Sequence, residues 1–377
     1  MQTIELLYFV DTLALGGIQS LLKEYIDHFP KGQINVTILT LDEDPPSPLE
    51  IELQKKITIQ RLVGVKLKTP LDFLKFETKL KQYFKQHSNF DIVHAHASSK
   101  SFQLLRQAKI AGIPVRIIHS HSTEFTSQNF AKRAVGNLLK QPVKQAANTY
   151  FACSQLAGSW LFGDKSSFEV IPNAISLKAF QFSPATRKHE RAKHQLTGKK
   201  VFAHFGRFTA SKNHRQLLTL FAAFCQKEAN AYLLLVGNGE LMAQVREQVQ
   251  QLELQSKVSF LGYRTDVAEL LQACDVVLLP SFYEGLPIIL LEAQAAGVPC
   301  VVSDRVTTEV SLAPNYEAIS LDAPTVAWTQ AMRRALTQPL IQRKSGLNYV
   351  RAAGYDINEA APQMLQLYRQ LITENNS

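Results

Sequence analysis

The sequence predicts an α/β protein built from two doubly wound domains in tandem. Three observations carry that expectation. The chain has 377 residues, enough for two domains at roughly 100–200 residues each. Short apolar runs alternate with amphipathic stretches, the pattern of parallel strands joined by crossover helices. The alternation pauses over residues 176–200 and then restarts.

The N-terminal part reads as strands at 4–10, 35–41, 91–95, 115–119 and 149–154. Each is a short run, mostly rich in Val, Ile, Leu or aromatic residues. Amphipathic stretches such as 18–29 and 100–111 fit the helices between them. After VIPNAI at 170–175, residues 176–200 are polar, charged and aperiodic, and read as a linker. Beyond it, strands are expected at 201–205, 232–236, 258–261, 275–280 and 299–303, with helices at 214–227, 240–251, 267–273 and 287–296. Helical patterns at 325–336 and 358–371 close the chain. Open parallel sheets bind ligands at the carboxyl ends of their strands. Two such sheets facing each other predict a deep cleft between the domains.

Composition excludes several classes. With 46% hydrophobic and 19% charged residues, the chain is an ordinary globular mix rather than a disordered one. The four cysteines, Cys153, Cys225, Cys274 and Cys300, form no C-x-x-C pair. That argues against a disulfide scaffold or a cysteine zinc site and fits a reducing compartment. No basic region precedes the first apolar run, so a signal peptide is not expected. No apolar stretch approaches the ~18 residues of a membrane span. A soluble, cytoplasmic protein is the expectation. The formal charge is +9, and residues 55–144 hold 17 Lys+Arg against 4 Asp+Glu. That concentration points to an anionic partner, nucleic acid or an acidic membrane surface, or else to a solvated face.

Four motifs carry candidate chemistry. DTLALGGIQ at 11–19 places Gly16 and Gly17 where a strand meets a helix. Glycines there admit a ligand close to the backbone, and the helix start favours an anion, though a tight turn needs the same residues. FGRFTASKN at 205–213 sets Arg207 and Lys212 around a short loop at a strand's end. A guanidinium fork and a flexible ammonium can clamp a diphosphate and stabilise it as a leaving group; the alternative is two surface cations. YLLLVGNGE at 232–240 runs a strand into Gly237-Asn238-Gly239, a phosphate cradle or a plain strand–helix turn. PSFYEGLPIILLEAQAAGVPCVVSD at 280–304 is the most specific: Glu284 ends a loop, Gly285-Leu286-Pro287 opens a helix, and Glu292 follows eight residues after Glu284. The carboxylates lie about two helical turns apart and suit different parts of one elongated ligand. Glu292 sits among Leu290, Leu291, Ala293 and Ala296, which reads either as a buried acceptor for ribose hydroxyls or as a partly exposed helix glutamate.

This last motif resembles the E-x7-E signature of retaining, nucleotide-sugar-dependent glycosyltransferases of family 4. The likeness covers nearly the whole chain: the Gly-Gly opening, VIPNAI, GRFTASKN, LLLVGNGE, FLGY, DVVLLPS and EGLPIILLEAQAAGVP fall in the family's order. RIIHSHS at 116–122 and FACS at 151–154 are similar to the subgroup that builds bacterial exopolysaccharide or capsule repeat units. The resemblance implies a GT-B fold of two Rossmann-like domains facing across a cleft. Residues 1–180 would form the acceptor-side domain, 198–355 the nucleotide-sugar domain, and helix 356–377 would cross back onto the first. It implies that Arg207 and Lys212 meet the diphosphate, that Gly206, Gly237 and Asn238 belong to the donor site, and that Glu292 meets the ribose. Glu284 with the amides of Gly285, Leu286 and Pro287 would contact the donor sugar and phosphate. Tyr263 or Arg264 would meet the base, and Gly17 would close on the diphosphate. A histidine would face the transferring sugar. His119 and His121 are both candidates, with His121 preferred because it lies further into the loop. Glu284, Arg207, Lys212 and His121 form the expected catalytic set.

By the same resemblance no metal or other cofactor is needed. His94 and His96 could pair on a metal, but no third ligand is evident from sequence, and they read as cleft or core residues. The expected reaction moves a sugar from a nucleotide-sugar, a UDP-sugar foremost, to a glycan or polyprenyl-linked acceptor. Retention is expected by departure of the nucleoside diphosphate and attack from the same face, with no enzyme nucleophile. Residues 130–144, FAKRAVGNLLKQPVK, combine apolar groups with Lys132, Arg133, Lys140 and Lys144. They suit peripheral contact with an anionic membrane at the inner face, or a basic surface helix. No recognised nucleic-acid module is present. The competing readings are an epimerase or phosphorylase on the same fold and a non-catalytic partner subunit. A dehydrogenase is disfavoured because G-x-G-x-x-G is absent.

Overall fold

The apolar runs become the central strands of two parallel sheets in a computed structural model of the chain. The structure describes residues 2–13, 16–41, 43–64, 70–96, 100–123 and 130–376. They divide into two units, Met1–Ala174 with Ile357–Ser377, and Ile175–Asp356.

The first unit holds β1 (Ile4–Val10), β2 (Ile34–Thr40), β3 (Thr58–Arg61), β4 (Ile92–His96), β5 (Val115–Ser120), β6 (Thr149–Ala152) and β7 (Glu169–Val170). Their spatial order is β3-β2-β1-β4-β5-β6-β7, with every neighbouring pair parallel. The second unit holds β8 (Lys200–Phe205), β9 (Ala231–Val236), β10 (Val258–Gly262), β11 (Val276–Leu279), β12 (Cys300–Ser303) and β13 (Tyr316–Ile319). Their order is β10-β9-β8-β11-β12-β13, again all parallel. Strand order reverses between β1 and β4 and between β8 and β11. Such reversals open a crevice at the strands' carboxyl ends, where ligands of this architecture bind.

Burial explains which strands the apolar pattern reveals. Leu6, Leu7, Tyr8 and Phe9 of β1 are buried, as are Val201, Phe202 and Ala203 of β8. Strands covered on both faces read as continuous apolar runs. The edge strands β3 and β13 are mostly half-exposed and escape that pattern. The core of the second unit joins Phe202, Phe221 and Phe224 to Trp328 and Met332 from the helix Thr325–Leu336.

The expected linker is instead structured. Residues 176–200 contain the short helix Leu177–Phe180 and the helix Pro184–Lys193, both in the second unit. Ser183 caps the latter by accepting from the Thr186 amide, and Pro184 pre-sets its first turn. Its anchors are charged rather than apolar, so hydrophobic periodicity gives no signal. Arg187 and Arg191, one turn apart, both pair with Asp275 and donate to the carbonyls of Gln272, Cys274 and Ala273.

The final helix, Ile357–Asn376, belongs to the first unit. Its Tyr368 is fully buried, with its hydroxyl 3.1 Å from the Tyr8 hydroxyl and 2.8 Å from His94 Nδ1. Among the described residues no helix is long and apolar enough to cross a membrane.

Candidate active site

In the second unit, β8 delivers its chain to the switch point and turns at Gly206. The Gly206 amide donates to the Val236 carbonyl, and the Phe208 amide donates to the Asn238 carbonyl, so the loops after β8 and β9 are laced together. Gly237 stands at φ +137°, where a Cβ would lie 2.0 Å from the Gly206 carbonyl oxygen. Only glycine fits that approach. A Cβ at Gly206 would lie 3.1 Å from Lys212 Cε, so the lysine stem crosses the turn directly.

That stem carries Lys212 Nζ to Glu284, 2.6 Å from Oε1 and 2.7 Å from Oε2. Both side chains are largely buried. Ser281 also donates to Glu284 Oε1, at 2.6 Å. The loop after β11 is fastened by the Ser303 hydroxyl on the Ser281 carbonyl and by the Phe282 amide on the Ser211 carbonyl. Two of the expected catalytic residues therefore form one charge-assisted pair at the carboxyl ends of β8 and β11. Arg207 extends into solvent at the mouth of the same loop. Sequence reasoning missed Ser281, because a serine at a strand end has no distinguishing pattern.

Gly285 and Leu286 lead into the helix Ile288–Ala295, with Pro287 at its cap position. Proline has no N–H, so Pro287 cannot supply the amide expected of it; Gly285, Leu286 and Ile288 carry the amides at this turn. Glu292 is partly exposed rather than fully buried, between the buried Leu291 and Ala293. After β10, Arg264 is already committed: its guanidinium forks onto Asp266, with Nε 2.7 Å from Oδ1 and Nη2 on Oδ2. Tyr263 is 45% exposed and is the better placed of the two to stack on a flat ligand. Beneath the loop, His204 and His214 are buried with ring centroids 4.6 Å apart, and His214 stacks on Phe208 at 4.3 Å. Burial holds the His204 imidazole well below the usual histidine range and pulls His214 down to about 4.

In the first unit, Gly17 opens the helix Gly17–His28 after β1. Ala14 and Leu15 of that motif lie outside the described residues. β4 and β5 place His94, His96, His119 and His121 on one sheet face, because strand side chains repeat every second residue and His96 is in register with His119. His94 Nε2 lies 3.1 Å from His119 Nδ1, and His96 Nδ1 lies 2.8 Å from His121 Nε2. His119 is buried; His121 is partly exposed. Burial lowers all four pKa values, that of His121 to about 3, so the rings are neutral at ordinary pH.

The third ligand that the sequence did not show is His119: His94, His96 and His119 each offer an atom within 4.8 Å of the others. Two of these rings are nonetheless stacked rather than convergent. His94 and His96 lie 4.6 Å apart with planes 12° from parallel. In-plane lone pairs of stacked rings do not meet at one point, as tetrahedral coordination requires.

The basic stretch is partly absorbed by the fold. Lys140 Nζ donates to the Trp160 carbonyl and sits 4.1 Å over its ring, and Lys144 Nζ donates to the Phe162 carbonyl. Both neutralise the carboxyl end of the helix Gln155–Phe162. The side chains of Lys132 and Arg133 lie outside the described residues.

Comparison with known proteins places this geometry. The family model described as Glycosyltransferase Family 4 matches residues 15–179, and that described as Glycosyl transferases group 1 matches residues 186–351. EpsF of Bacillus subtilis (strain 168), named as a glycosyltransferase, is 28% identical over 369 residues, covering 96% of this chain and 95% of its own. The Escherichia coli UDP-Gal:alpha-D-GlcNAc-diphosphoundecaprenol alpha-1,3-galactosyltransferase is 26% identical over 77% of this chain and 76% of its own. Among solved structures, Anabaena Alr3699/HepE in complex with UDP-glucose superposes with a TM-score of 0.81 at 18% identity, over 97% of this chain and all of that one. Sucrose-phosphate synthase from Thermosynechococcus elongatus gives 0.78 at 21% identity, over 98% of this chain and all of that one. These likenesses show the fold, GT-B. The chain belongs to the family 4 glycosyltransferases, with the family 4 domain in its first unit and the group 1 domain in its second.

Proposed function

We propose that the protein transfers a hexose, with retention, from a UDP-sugar to a lipid-linked glycan acceptor in bacterial exopolysaccharide assembly. The observation that carries this reading is the Lys212–Glu284 pair beside the Gly206–Gly237 turn, at the switch point of the second unit. Support for the donor comes from the HepE complexes with UDP and UDP-glucose, and support for the acceptor from the diphosphoundecaprenol in the E. coli relative's name.

In this reading Arg207 and Lys212 hold the diphosphate, with the Gly206, Gly237 and Asn238 backbone close against it. Glu292 accepts from the ribose hydroxyls, and Tyr263 stacks on the base. Glu284 orients Lys212 and meets the sugar, and the family resemblance assigns Gly17 and His121 to the donor as well. The bond from the anomeric carbon to the phosphate oxygen breaks as the acceptor hydroxyl attacks from the same face. The departing phosphate takes the hydroxyl proton. The protein orients the reactants and stabilises the leaving charge, and no metal has a role in the step.

Thermal unfolding with UDP, GDP, ADP and their sugar conjugates tests the donor. A ligand at 100 times its Kd stabilises by about 2.7 kcal/mol. UDP and a UDP-sugar are expected to raise the Tm, and Glu292→Ala to reduce the shift. A shift with GDP or ADP alone would overturn the assignment of the base. Release of sugar phosphate on adding inorganic phosphate, or sugar conversion without acceptor, would overturn transfer.

A further inference from the structure

The histidine array of the first unit fixes more than position. A neutral imidazole has one N–H and one lone pair, so the His96–His121 hydrogen bond admits two arrangements. The other nitrogen of His96, Nε2, is buried with no partner among the described residues. Suppose His121 Nε2–H donated to His96 Nδ1. His96 would then carry its proton on Nε2, and a buried N–H would be left without an acceptor. Orphaned buried N–H groups are the rarer kind of unmet polar group. In the other arrangement His96 Nδ1–H donates to His121 Nε2, and the orphan is only a lone pair. His121 must then carry its own proton on Nδ1.

The neighbouring pair obeys the same rule. His119 Nε2 is also buried without a partner among the described residues. A proton on His119 Nδ1 donates to His94 Nε2, and His94 Nδ1–H then donates to the Tyr368 hydroxyl, which turns to Tyr8. One tautomer choice thus serves both pairs. Among the described residues, the other aromatic rings packed on these are Tyr8, Phe151 and Tyr368, all uncharged.

We propose that His96 is a positioning residue that holds His121 in its Nδ1–H tautomer, so that this partly exposed imidazole meets its ligand as a neutral hydrogen-bond donor. A general base would need the lone pair that His96 already occupies. The ligand class is an oxygen acceptor, such as a hydroxyl or phosphate oxygen of the donor. This step rests on the reading that His121 faces the donor.

The test is ring-nitrogen NMR on the full chain with ¹⁵N-labelled histidine, alongside transfer kinetics. His121 is expected to show a protonated Nδ1 and a bare Nε2, unchanged between pH 6 and 8. In His96→Leu the ring loses that restriction and interconverts between tautomers. There kcat is expected to fall by about 100-fold, the scale of losing one preorganised donor, with donor KM little changed. His96→Gln, whose amide can donate to Nε2, is expected to restore the tautomer and much of the rate, and so separates positioning from misfolding. A wild-type His121 protonated on Nε2, or titrating near pH 6.5, would overturn the proposal. So would a tautomer unchanged in His96→Leu. If the tautomer changes while kcat does not, the lock stands and the donor-facing role of His121 falls.

Discussion

At the scale of single residues the site is built by omission as much as by charge. A Cβ at Gly237 would meet the Gly206 carbonyl at 2.0 Å, and φ +137° is closed to other residues. Gly237→Ala must therefore move the backbone of both loops, and a loss of about 2 kcal/mol or more is expected in urea unfolding. An unchanged midpoint would show that the loops are not locked together. Gly206→Ala differs in kind, because its Cβ would meet the flexible Lys212 stem at 3.1 Å. The stem gives by a few tenths of an ångström, so Lys212 is displaced against Glu284 at a cost well below that of Gly237→Ala. If Lys212 holds the diphosphate, UDP affinity measured by calorimetry should fall about 5- to 10-fold, near 1 kcal/mol. Equal affinity would remove Lys212 from the diphosphate site. The glycines and cations were legible in sequence because their types are unusual at strand ends. Their pairings were not: Glu284 lies 72 residues from Lys212, and Asp266 engages Arg264 through a loop conformation that no motif records.

At the scale of elements, legibility follows what holds each element in place. β1, β8 and β11 are buried on both faces and announce themselves as apolar runs. The helix Pro184–Lys193 does not, because Arg187 and Arg191 hold it through Asp275 and backbone carbonyls. Its Ser-Pro start is a capping signal that an apolar scan overlooks. Asp275 also accepts from the Val201 amide at 2.7 Å, tying the helix to the first turn of β8. Asp275→Ala leaves two largely buried guanidinium groups without their counter-charge. Breaking such a cluster should cost about 3 kcal/mol, seen as a lowered urea midpoint followed by Trp328. Lys188→Ala, on the exposed side of the same helix, should change stability by less than about 0.5 kcal/mol. Similar effects from both would mean that the helix is held by something other than the arginine pair.

At the scale of the whole molecule, the two units differ in how they carry protons. Burial depresses four histidines in the first unit, His94, His96, His119 and His121, and two in the second, His204 and His214. The unfolded chain binds these protons near the ordinary value of about 6.5, whereas the folded units resist until far lower, to about 3 at His121 and about 4 at His214. Their contribution to stability is therefore complete above pH 6.5 and is lost as pH falls from 6.5 toward 4. Each histidine adds up to about 1.4 kcal/mol per pH unit. Carboxylates held low by partners, Asp27 in the first unit and Asp266 in the second, act below that window. With twice as many imidazoles held below their ordinary value, the first unit should yield to acid first. The chain's two tryptophans report separately, Trp160 on the first unit and Trp328 on the second. In Trp328→Phe the remaining Trp160 signal should change at a higher pH than the Trp328 signal does in Trp160→Phe. Coincident transitions, or earlier loss at Trp328, would mean that the histidine array does not set the acid limit of its unit. Adding His94→Phe, which removes one titrating ring, should move the Trp160 transition to lower pH if the native packing accepts it. The Trp328 transition should not move.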